Sequence, residues 1–137
     1  MKQKDLVEAY KLLGEASIKS LDDKDGVIII KNRMVMRSYA DACDAMVKDA
    51  KEKFEPEGIE AMQEKLQNWD KLSMPERKEV DNFYRAYQEK IDAVCGPELD
   101  KEIDCPIEKI SVDAGMKLLK ENGWPISRLD TIAFMVG

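Results

Sequence analysis

From Ile59 to Val94 the apolar residues return at three- and four-residue steps in two runs. The first is Ile59, Met62, Leu66 and Trp69; the second is Val80, Phe83, Tyr84, Tyr87, Ile91 and Val94. A helix places residues so spaced on one face. Ser73-Met74-Pro75-Glu76 separates the runs. There the Ser73 hydroxyl can accept from the Glu76 amide while the Glu76 side chain reaches back, a capping box. Pro75 in the first turn removes only an amide that lacks a helical acceptor. The pattern predicts an antiparallel hairpin, with one helix over residues 57–70 and a second ending near Cys95, where Gly96-Pro97 reads as a terminator.

The same reading extends to both sides. A first helix is expected over residues 4–20, with Leu6, Ala9, Tyr10, Leu13, Ala16 and Ser17 on one face and Gly14 weakening its middle by about 1 kcal/mol. Asp22-Asp23-Lys24-Asp25-Gly26 reads as a turn in which Gly26 supplies a positive φ. Val27-Ile28-Ile29-Ile30 is β-branched throughout, which suits a strand. The register continuing through Met34, Val35, Tyr39, Ala42, Cys43, Met46 and Phe54 suits a long helix over residues 32–53 instead. Length favours the helix, with the isoleucines as its buried first turn or as a short strand before it. Pro56 and Gly58 mark the next break.

Residues 99–103 and 106–110 alternate in a β-compatible way. Ser111 then caps a short helix carrying Met116, Leu118 and Leu119 and closed by Asn122-Gly123. Ser127-Arg128-Leu129-Asp130 opens a last helix. The expected fold is mainly α: one domain over residues 1–137, a helical bundle with an antiparallel helical hairpin and a short β element near residues 100–110. Leu6, Leu13, Val35, Tyr39, Met46, Leu66, Trp69, Phe83, Tyr87 and Ile91 are its expected core.

Length and charge narrow the function classes. A chain of 137 residues is long enough to bury roughly two thirds of its unfolded surface. The net charge of −6 argues against nucleic acid, whose binding needs clustered Lys and Arg on phosphates. The nearest basic stripe, Lys31, Arg33 and Arg37, is short and is followed by Asp41 and Asp44. Three cysteines, Cys43, Cys95 and Cys105, cannot all pair within one chain and match no zinc or redox spacing, so a reduced, cytoplasmic protein is expected. Residues 1–5 lead into an amphipathic stretch, which is no secretory leader. The apolar runs 27–30 and 132–136 are too short to span a bilayer, so no membrane partner is expected.

The absence of histidine removes Ser-His-Asp and Cys-His catalysis, the HExxH zinc site and the di-iron Glu-x-x-His pattern. No phosphate-binding glycine motif occurs. Residues 21–32 resemble a calcium loop when aligned on Gly26, with Asp23, Asp25 and Ile28 in place. Leu21 at the first ligand position and Asn32 at the twelfth remove both ends of the ligand set, leaving a solvated aspartate turn. Glu52, Glu55, Glu57 and Glu60 sit at a polar loop and helix start, where carboxylates suit the helix dipole. Cys95 beside Gly96-Pro97 has no cluster of cations to lower its pKa and reads as a buried thiol. No catalytic residue, cofactor or metal is expected.

Three residues stand as partner-binding candidates. Trp124, between Gly123 and Pro125, either clamps the last helix or anchors a partner. Met34 and Met36 belong to a methionine-rich stretch that either fills core or forms an adaptable surface.

The order of parts, with Glu102-Ile103-Asp104-Cys105-Pro106-Ile107-Glu108-Lys109-Ile110, Ile126-Ser127-Arg128-Leu129-Asp130 and Ile132-Ala133-Phe134-Met135, resembles a group of small uncharacterised phage and prophage proteins. The likeness is one of layout over most of the chain, with specific residues in the last third. Pro106 and the helix around Met116–Gly123 depart from the pattern. The resemblance implies a phage-encoded, non-enzymatic protein acting in the host cytoplasm. The function expected is interaction or assembly through helix faces, with an unidentified protein partner and homo-oligomers open. The alternative is an acidic inhibitor, a charge mimic that binds a nucleic-acid-binding protein.

Overall fold

The computed structural model describes residues 1–137. Six helices and two short 3₁₀ turns hold 74% of the residues and no strand forms, so the chain is mainly α. The helices are α1 (Gln3–Glu15), α2 (Asp23–Lys53), α3 (Ile59–Gln67), α4 (Met74–Leu99), α5 (Val112–Glu121) and α6 (Ser127–Ile132). The 3₁₀ turns are Trp69–Lys71, before α4, and Ala133–Met135, after α6. No helix is long and apolar enough to cross a membrane. Within the single stretch expected from the sequence the chain gathers into two units, residues 1–44 with 99–137, and residues 45–98.

The first unit is built around Leu6, Ala9 and Leu13 of α1, Ile28, Ile29, Met36 and Ala40 of α2, and Ala114 and Leu118 of α5. Ile110, Ile132 and Met135 complete the core. Arg33 of α2 lies over α1, its guanidinium 4.5 Å above the Tyr10 ring. A Cβ on Gly14 would stand 2.7 Å from Arg33 Nη2, so the glycine that weakens α1 makes room for this crossing.

α1 stops at Glu15, five residues short of the expected end at residue 20. The amides that would continue it are taken by α5: Asn122 Oδ1 accepts from Ser17 N at 2.7 Å, and the Glu121 carboxylate accepts from Lys19 N and Ser20 N. The aspartate turn is the first turn of α2. Asp22 Oδ1 accepts from Asp25 N at 2.8 Å as an N-cap, and Gly26 N donates to Asp22 O at 2.9 Å. Gly26 has no positive φ, which only Gly58 and Gly123 adopt. The isoleucine run is helical, with Ile28 and Ile29 buried and Val27 and Ile30 exposed.

The β-compatible tail forms no sheet. It runs extended and makes isolated bridges, Lys2 with Glu102 and Ile110 with Val136. At one end Gln3 N donates to Lys101 O and Ile103 N to Met1 O; at the other Ile110 N donates to Met135 O and Gly137 N to Ile110 O. Between them Asn32, 1% exposed, holds Glu108 by both backbone groups. Its Nδ2 donates to Glu108 O at 2.8 Å and its Oδ1 accepts from Glu108 N at 3.0 Å. A buried amide is stable only when so satisfied.

In the second unit the hairpin has the predicted antiparallel sense. Lys65 Nζ lies 3.5 Å from Glu79, and Arg77 Nε donates to Trp69 O at 3.2 Å while its guanidinium sits 5.3 Å from the Trp69 ring centre. The capping box forms: Glu76 N donates to Ser73 Oγ at 3.3 Å, and the Glu76 carboxylate accepts from Ser73 N at 3.3 Å and Ser73 Oγ at 2.9 Å. These bonds hold the exposed Glu76 carboxyl below its ordinary pKa.

Three expectations here need correction. α4 runs through Gly96 and Pro97 to Leu99, although Pro97 has no N–H to give the helix. α3 ends at Gln67 and the chain tightens into the 3₁₀ turn, whose Leu72 N donates to Trp69 O at 3.1 Å. Leu66 is 49% exposed rather than core, since α3 buries no residue fully. The deeply buried side chains of this unit are Ala50, Val80, Ile91 and Cys95.

Candidate functional site

The three candidate residues do not share a surface. Met36 is fully buried in the core of the first unit and unavailable to a partner, a correction to its surface reading; α2 turns it inward between Asn32 and Ala40. Met34, two residues earlier, is 70% exposed and continues a stripe begun by Val27 and Ile30. Trp124 is half-buried, packs against the core and lines a groove. Trp124 thus both packs on the core and borders the groove.

The groove is made by the last turns of α5 and the bend after it. Ser111 starts α5 by accepting from Ala114 N at 3.1 Å. Ala114, Gly115, Leu118 and Leu119 then face the core, which leaves Val112 and Met116 outward. Asn122 ends the helix with a three-bond clamp. Its Oδ1 binds Ser17 N, and its Nδ2 donates to Ser17 O at 2.8 Å and Leu118 O at 2.9 Å. Gly123, at φ 62°, makes the left-handed step that only glycine takes without strain, and Trp124 N closes the turn on Leu119 O at 3.1 Å. The result is an open groove of about 550 Å³ with Met116, Leu119 and Trp124 as apolar surface and Asp113, Lys117 and Lys120 at its edge.

Glu121 is next to the groove in sequence but commits its carboxylate to the chain after α1. Bonds from Ser17, then from Ser20 and Lys19, hold its pKa down to about 2. A carboxyl that titrates near 4.5 unfolded and near 2 folded adds stability that is complete above 4.5 and disappears as the pH falls through about 2. Glu121→Gln is therefore expected to lower Tm at neutral pH, with the gap to the unsubstituted protein closing between pH 4.5 and pH 2. Thermal melts across that range check it; a constant gap would remove the carboxylate as the cause.

The other residues with chemical potential are dispersed. Lys4 and Asp100 pair at 3.1 Å on the surface, each stabilising the other's charged form. Burial, and secondarily the charge of Asp104, pushes the Cys105 thiol up, away from thiolate reactivity. Cys95 is buried, and Glu52, Glu55, Glu57 and Glu60 are all exposed. Of the basic stripe, Arg33 covers Tyr10, Arg37 lies 3.6 Å from Asp41, and Lys31 is exposed. In the second unit, a separate open groove of about 620 Å³ runs past Trp69, Met74 and Pro75, with Arg77, Lys78 and Asp81 beside it.

Sequence reasoning passed over Lys117 and Lys120. The available signal was spacing on α5: Lys117 and Lys120 stand three residues apart and so share a helix face. No family model, curated protein or solved structure matches the chain. Fold and site together define a mainly α protein that offers an apolar, lysine-edged groove at the end of a helix.

Proposed function

We propose that this protein is a non-enzymatic interaction protein whose working surface is the α5 face that ends at Trp124. The observation that carries this reading is the gathering of exposed apolar side chains there. Met116 is 48% exposed and Val112 60%, and both belong to the helix that borders the Trp124 groove. Exposed apolar groups beside a preformed concavity favour burial by a partner.

The distribution of perturbed groups supports a role without catalysis. Active sites bring shifted pKa values together in a cleft. Here the shifted carboxyls Glu76, Asp100 and Glu121 are surface groups engaged in a cap, an ion pair and a clamp. The charge-mimic alternative receives less support, since carboxylates alternate with cations in pairs such as Lys11 with Asp44, Arg37 with Asp41, and Lys65 with Glu79. The resemblance of the last third of the chain supplies the setting, a phage-encoded protein acting in the host cytoplasm.

The test is affinity capture from the native host with the unsubstituted chain and with Met116→Glu as baits. A protein retained by the first and lost with the second supports the reading. Identical captures from both baits would move the working surface elsewhere, and capture of nothing by either would end the interaction reading.

A further inference from the structure

Resting on the interaction reading, we infer the chemistry of the partner: the Trp124 groove docks a short peptide segment in which apolar side chains are flanked by carboxylates. Three observations converge on it. The first is local charge. The chain as a whole carries −6, yet the groove edge has Lys117 and Lys120 against the single carboxylate of Asp113. Glu121, the other nearby acid, is turned away to bind Lys19 N and Ser20 N, and the ion pairs of the molecule involve neither groove lysine. A cationic edge on an anionic protein selects for carboxylates.

The second is the apolar floor. Leu119 and Trp124 are anchored in the core while Met116 is left to adapt, the combination of a rigid aromatic anchor and a flexible thioether that suits varied apolar side chains. The third is preorganisation. Asn122 fastens the groove's end to Ser17 by two bonds and Gly123 sets the bend, so docking need not order the receptor. A membrane surface fits less well. The apolar residues line a concavity rather than a protruding face, and the overall negative charge opposes an anionic bilayer.

The test uses the full chain carrying Trp69→Phe, which leaves Trp124 as the one tryptophan of the two. Random short peptides displayed on phage are selected on it, and enriched sequences are synthesised and titrated by Trp124 fluorescence. The expected winners pair apolar residues with Asp or Glu, shift the Trp124 emission, and bind about tenfold more weakly to Lys117→Glu and to Lys120→Glu. Both positions are exposed, so circular dichroism should show these variants folded. Basic winners, or acidic winners that leave Trp124 unperturbed and bind the lysine variants unchanged, would overturn the groove assignment while leaving the host-capture result standing. An emission shift caused instead by vesicles containing phosphatidylserine, with no peptide enriched, would overturn it in favour of a membrane surface.

Discussion

Met36→Ala should cost about 2–5 kcal/mol of stability, while Met34→Ala should stay within about 0.5 kcal/mol. The two methionines are two residues apart on α2, identical in chemistry and opposite in environment. Met36 is fully enclosed by the core of the first unit, so truncation removes buried methylenes and leaves a void. Met34 is 70% exposed and its truncation changes little but solvent contact. Urea unfolding followed by circular dichroism measures both. Equal losses for the pair would mean that α2 is rotated from the orientation described above. The comparison also bears on function, because only Met34 remains available to a partner.

Asn32→Ala is the second large effect, about 2–6 kcal/mol, from two Glu108 backbone groups that each lose a partner worth about 1–3 kcal/mol when left unsatisfied. The damage should be concentrated in the extended segment, where hydrogen exchange of the amides around Glu108 would rise first. Asn32→Asp gives a sharper version. Its carboxylate can still accept from Glu108 N but, when ionised, confronts Glu108 O, and burial raises its folded pKa above the unfolded value near about 3.9. A raised carboxyl pKa destabilises at high pH and not at low. The deficit of Asn32→Asp relative to the unsubstituted chain should be complete above the raised folded pKa and vanish below the unfolded one. A deficit independent of pH would show that the two-point grip on Glu108 is not what Asn32 supplies.

Local chemistry was legible wherever a short stretch contains its own partners. Ser73 and Glu76 are three residues apart, so their capping box needs nothing from the rest of the chain, and the same holds for Ser111 at the start of α5 and Gly123 after its end. The isoleucine run was left open between strand and helix by its own residues, and it joins the helix whose register continues for two dozen residues past it. Misreadings arose where a local signal had two meanings. Asp22 and Gly26 suit a turn and also suit a capped first turn of helix. Gly96-Pro97 marks a coming helix end, and α4 stops two residues after it rather than at it.

The groove was less legible than the fold. Periodicity marked α5 as amphipathic and isolated Trp124 between Gly123 and Pro125. It did not show that Glu121 would be drawn away to the chain after α1, leaving Lys117 and Lys120 to set the charge of the edge.

Helix content, the hairpin around Ser73 and the caps at Ser73 and Ser111 were thus determined by the sequence alone, because spacing and capping act over a few residues. Tertiary structure alone decided where α1 stops, which methionine of α2 is buried, why Asn32 is inside, and that residues 101–110 run extended without forming a sheet. Each of those outcomes depends on a partner between about 25 and 105 residues away, as with Ser17 and Asn122. A backbone amide goes to whichever acceptor the packed chain brings to it.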